Sequence, residues 1–80
     1  MEEKIAVIAI IVKDTEATEK VNSILHEYRD FIVGRLGIPY RKKGVNVISV
    51  VIDAPQETIN SLSGKLGMID GVTSKVLTTK

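Results

Sequence analysis

Cysteine and tryptophan are missing from the 80 residues, which contain one phenylalanine, two tyrosines, two prolines and one histidine. Without cysteine there is neither a disulfide staple nor a thiolate metal site, and His26 alone cannot supply a metal-ligand cluster. So few aromatics argue against a platform for stacking bases. Neither sign of charge dominates: 11 Lys plus Arg against 10 Asp plus Glu leave a net charge of +1, whereas a general nucleic-acid binder is normally more basic. The apolar run over residues 5–12 is too short to span a bilayer and follows two glutamates rather than a basic segment, so it reads as neither a membrane helix nor an export signal. Together these absences point to a cytoplasmic chain with no membrane association, no metal and no cofactor.

The composition, 44% hydrophobic and 26% charged, is that of a folded chain. Pro/Gly/Ser-rich linkers and charge blocks are missing, so residues 1–80 read as one domain. A chain of 8.8 kDa should expose roughly 12,800 Å² unfolded and roughly 4,800 Å² folded. If a little over half of the buried area is apolar, burial stabilises by about 120 kcal/mol, which ordering entropy of about 1.5 kcal/mol per residue nearly cancels. With no staple available, association with another chain is the expected source of additional stability.

Residues 4–12 (KIAVIAIIV) are Ile/Val-rich and read as a strand. Asp14 or Thr15 caps a helix whose apolar stripe is Ala17, Val21, Ile24, Leu25 and Tyr28. Residues 31–38 (FIVGRLGI) read as an edge strand with bulges or close backbone approach expected at Gly34 and Gly37 and an end at Pro39. Residues 40–44 form a turn and residues 45–53 (VNVISVVID) a third strand, completing a hairpin. Asp53 is the expected cap of a second helix, with Pro55 in its first turn, the stripe Ile59, Leu62, Leu66 and Ile69, and a left-handed C-terminal cap at Gly67. Asp70 and Gly71 make a turn before a last strand over residues 72–79.

The order β-α-β-β-α-β with right-handed crossovers predicts an α+β, ferredoxin-like sandwich: two helices on one face of a four-stranded antiparallel sheet with the first and third strands central. Both central strands are apolar on both faces, since Ile5, Val7, Ala9 and Ile11 oppose Ala6, Ile8, Ile10 and Val12, and Val47, Ser49 and Val51 oppose Ile48, Val50 and Ile52. Two helices cover one face. The other is expected to pack on a second copy, with Val47, Ser49 and Val51 in a homo-oligomer interface of a dimer or tetramer.

The element order, the apolar first strand and the stretch KLGMIDGVTSKV over residues 65–76 resemble the ACT-like superfamily, including the C-terminal domain of nickel-responsive repressors. The stretches RLGIPY (35–40), NVIS (46–49) and INSLSGKLG (59–67) more closely resemble small stand-alone proteins named as iron-only hydrogenase system regulators. The resemblance implies a regulatory or ligand-sensing oligomer, a transcriptional regulator of such a system among the possibilities, and not an enzyme. The metal chemistry of the nickel-responsive repressors does not carry over, because the chain has only His26 and no cysteine; nor does direct operator binding, because no DNA-binding domain precedes residue 1.

Gly64-Lys65 fails as a phosphate loop, since Ile59 and Leu66 occupy the positions that need glycine and Ser or Thr. The plainer reading has Gly64 admitting close helix packing and Lys65 offsetting the helix dipole. Gly34, Arg35 and Gly37 combine exposed backbone N–H groups with a guanidinium able to grip an anion at two points, and with Lys65 they form the candidate site for a small anionic effector. Bending of an edge strand is the structural alternative for the two glycines. Residues 29–43 carry a local charge of +4, read either as an anion-attracting patch or as a solubilised hairpin tip. No combination of serine, histidine and acid indicates catalysis. A protein-interaction subunit that docks on a larger enzyme or regulator through an edge strand or the basic hairpin, without a small-molecule ligand, is the alternative function.

Overall fold

The computed structural model describes residues 2–79. Its elements are β1 (Glu3–Val12), α1 (Thr15–Glu27), a 3-10 turn (Arg29–Phe31), β2 (Ile32–Tyr40), β3 (Val45–Pro55), α2 (Gln56–Gly67) and β4 (Val72–Thr78). All neighbouring strands are antiparallel and the sheet order is β2-β3-β1-β4. This is the ferredoxin-like α+β sandwich, with β1 and β3 central as expected.

The helices cover one face because every second residue of the central strands and one stripe of each helix are apolar. Ile8, Ile10, Val50 and Ile52 pack with Val21 and Leu25 of α1 and with Ile59, Leu62 and Leu66 of α2, and all are fully buried. No buried residue is polar or charged among the described residues. Asp14 caps α1 as expected, its carboxylate accepting from the Glu16 N–H at 3.0 Å. Where the two helices meet, the Tyr28 hydroxyl and Ser61 Oγ lie 2.8 Å apart.

Several local expectations are corrected. Phe31 belongs to the 3-10 turn, and β2 continues through Pro39 to Tyr40, with Pro39 opposite Asn46. A proline survives there because an edge strand is hydrogen-bonded on one side only. The register shift falls between Ile32 and Gly34, whereas Gly37 pairs regularly with Ile48. Asp53 caps nothing: β1 and β3 stay paired as far as Glu3 opposite Pro55, so Asp53 lies within the strand and α2 begins after Pro55 without a side-chain cap. Gly67 closes α2 in ordinary helical geometry, followed by Met68 in the right-handed region, and the positive φ of this connection falls at Gly71 (80°). Gly71 also approaches the start of α1, where a Cβ would lie 3.1 Å from the Asp14 Cβ and where its carbonyl accepts from the Lys13 N–H at 2.7 Å. Gly64 is exposed with open space around it, so it serves no close helix packing.

Candidate functional site: the open sheet face and the groove beside β2

The face of the sheet away from the helices carries Ile5, Val7, Ala9 and Ile11 of β1, with Val47, Ser49 and Val51 of β3 across the ladder. The register adds Leu36 and Ile38 of β2 on one side and Lys75 and Leu77 of β4 on the other. Ile5 is 43% exposed, Ile11 42%, Val47 38% and Leu77 74%. Charge on this face is confined to the margins, at Glu3 and Asp53 near one end and Lys75 on the edge strand. Lys75 is exposed opposite Ala9, and a charged side chain on an edge strand discourages uncontrolled strand pairing. The accessible surface of the chain is 5464 Å², about 700 Å² above the roughly 4,800 Å² expected of a monomer this size.

On the helix side, α1 does not reach over the edge strand, and three cavities lie in a row between it and β2. The central one, of about 230 Å³, is lined by Thr18, Asn22, Arg35, Gly37, Pro39 and Ile48 among others. It shares Asn22 and Arg35 with a second of about 230 Å³ that adds His26 and Arg29, and Pro39 and Asn46 with a third of about 200 Å³ that adds Tyr40 and Arg41. Asn22 Oδ1 accepts from Arg35 Nη2 at 2.7 Å, and Thr18 Oγ1 accepts from Asn46 Nδ2 at 2.9 Å. Arg29 Nη1 donates to the His26 carbonyl at 3.0 Å.

The structure places the four candidate ligand residues in three environments. Arg35 and Gly37 share the central cavity. Gly34 is paired opposite Val51, whose side of the sheet is the open one. Lys65 lies between the helices, 3.4 Å from a Glu27 carboxylate oxygen and 5.2 Å from the centre of the Tyr28 ring. Tyr28, and after it Glu27, holds the Lys65 ammonium above the usual lysine range. The hydrogen bond of the Lys65 ammonium goes to Glu27 and the ammonium lies over the Tyr28 ring, so we read the Tyr28 contribution as the ammonium resting on the ring rather than as a direct hydrogen bond.

Sequence reasoning missed Thr18, Asn22 and Asn46 as part of this groove. A signal was present on α1: Thr15, Thr18, Asn22 and His26 recur at intervals of three and four, forming a polar stripe with Glu19 at its border and Glu16 and Glu27 off it. No group of three or more potential metal ligands exists among the described residues.

Fold, open face and cationic groove together define a small ferredoxin-like module. A model of the TM1266-like family, described as "Iron-only hydrogenase system regulator, putative", matches residues 4–76, and the chain belongs to this family. Among solved structures it is similar to the uncharacterized protein TM1266 from Thermotoga maritima, at 35% identity over 99% of this chain and 100% of that one, with a TM-score of 0.94. It is similar in fold to part of a formyltetrahydrofolate deformylase from Pseudomonas putida KT2440 (TM-score 0.66, 15% identity, 91% of this chain and 28% of that one). The de novo designed protein Foldit4 also shares the fold (TM-score 0.61, 21% identity, 99% and 98% coverage). The search of curated proteins yields no match.

Proposed function

We propose that the chain is a non-catalytic regulatory module that self-associates through its open sheet face and responds to a small anionic effector. The observation that carries this reading is the open face itself: a row of large apolar side chains on β1, β2 and β3 with no charge at its centre. Depletion of charge from the centre is characteristic of interface cores.

A second copy is the occupant that fits the dimensions. Strands of about ten residues at 3.3 Å rise, four abreast at about 4.8 Å spacing, present a flat area of roughly 600 Å². With side-chain relief this approaches the roughly 800 Å² per partner of a standard stable interface, and it is close to the excess surface of the isolated chain. Two such sheets pack face to face at about 10 Å, a spacing that Ala9 and Ser49, opposite each other in the register, accommodate. Effector binding then regulates by favouring one packing of the copies over another.

Because the chain contains no native cysteine, one introduced thiol reports on this face without interference. Ser49→Cys should be linked to a second copy by a short bis-maleimide, which adds one thiol at each end, at micromolar protein, while Glu57→Cys on the exposed surface of α2 should not. Equal, concentration-limited linking of both variants contradicts the reading. If the face instead docks on a different, larger protein, Ser49→Cys links only to that protein.

A further inference from the structure

We propose that the groove between α1 and β2 is a binding site for a small organic diphosphate, with its phosphates on Arg35 and Arg29 and its body against Pro39 and Ile48. The proposal deepens the sensor reading by assigning the chemical class of the effector, and it rests on that reading only for the consequence of binding.

Four observations carry it. The three cavities share lining residues and so form one continuous trough beside the edge strand. Arg29, Arg35 and Arg41, one or more in each cavity, face this trough, and no aspartate or glutamate lines any of the three. None of these guanidinium groups has a carboxylate partner, for the one ion pair among the described residues is Lys65 with Glu27. Gly37, finally, has no structural reason of its own to be glycine. Its φ is not positive, and a Cβ built there meets nothing within 4 Å. Glycine inside a strand is unfavourable unless another molecule approaches closely.

The chemistry of the trough selects the ligand. Arg35 is aimed by its bond to Asn22 and retains unused donors, and a guanidinium fork matches two phosphate oxygens at once. Arg29 shares a cavity with Arg35, so adjoining phosphates can be held by adjoining forks. Several uncompensated positive charges in one trough favour a multiply charged anion over a monocarboxylate. Pro39 and the buried Ile48 leave the central cavity an apolar wall, which a purely inorganic anion would not use.

The test is isothermal calorimetry at low salt with ADP and with inorganic pyrophosphate. ADP should bind with saturation and more tightly than pyrophosphate, and its affinity should fall as salt is raised. Arg35→Ala should weaken ADP by about tenfold or more, the scale of a lost charge-assisted hydrogen bond. Gly37→Val should abolish binding while the thermal midpoint stays level or rises, because the added side chain enters open space in a strand that favours β-branched residues. Absence of saturable ADP binding at millimolar ligand, or ADP affinity unchanged in Gly37→Val, overturns the proposal. Pyrophosphate binding as tightly as ADP overturns the role given to Pro39 and Ile48. ADP binding with no change in molar mass or packing supports the groove and refutes its coupling to assembly, so the two claims fail separately.

Discussion

Val7 provides a strong test of the open face, since it lies between Val51 on β3 and Leu77 on β4 and points away from the helices. In the isolated chain its side chain is 37% exposed, so Val7→Asp buries no charge within the protomer and costs its folding about 1 kcal/mol through strand propensity. In a face-to-face dimer the same carboxylate is taken out of water with only Lys75, diagonally across on β4, within reach, at about 3 kcal/mol per copy. Symmetry introduces it twice, for about 6 kcal/mol, or about four decades in the dissociation constant. A micromolar dimer thus becomes a monomer at any practical concentration. Sedimentation velocity across a concentration series reads the change, with circular dichroism confirming the fold. Val7→Thr, which keeps the branched shape, serves as the milder control and should weaken assembly by far less. Unchanged sedimentation of Val7→Asp beside an associated wild type would refute the reasoning, because the association surface would then lie elsewhere.

Two glycines should respond with opposite sign. Gly67→Ala should raise stability by about 0.5–1 kcal/mol, as alanine replaces glycine in a helical turn with open space around it. Gly71→Ala should lower it by more than about 1 kcal/mol, because a positive φ and a Cβ 3.1 Å from the Asp14 Cβ both oppose the methyl group; urea unfolding of both variants measures the contrast. Lys65 provides a pH test. A lysine raised above its usual pKa of 10.5 by Tyr28 and Glu27 contributes stability below the unfolded-state value, and that contribution disappears as pH rises through the folded one. Lys65→Met should therefore be slightly less stable than wild type at neutral pH, and the difference should vanish in strongly alkaline buffer. The same substitution should leave ADP affinity unchanged, since Lys65 lines none of the three cavities.

Architecture was legible because it depends on periodicity. The β-α-β-β-α-β order indicated that β1 and β3 are central, and their two-faced apolar pattern indicated that the two helices leave one apolar face uncovered. Local endings were less legible, since neighbours in space decide them. Asp53 looks like a cap when only Gln56 is considered, but pairing with Ile5 holds it in the strand. Gly67 looks like a terminator, yet the left-handed residue is Gly71, where the chain turns against Asp14. The candidate site divided in the same way. Arg35 and Gly37 were visible as an unusual pair within one strand. Their partners were hidden by distance along the chain: Asn22 lies 13 residues from Arg35, and Asn46 lies 28 from Thr18. Lys65 was associated with Arg35 by residue type and Gly34 by adjacency in the chain; alternation places Gly34 on the open face and the fold places Lys65 beside Glu27.

Light scattering on the wild-type protein over micromolar to hundred-micromolar concentrations tests the account most directly. It predicts a molar mass of at least twice 8.8 kDa. A mass of one chain across that whole range would contradict it, leaving the apolar face in water without a reason.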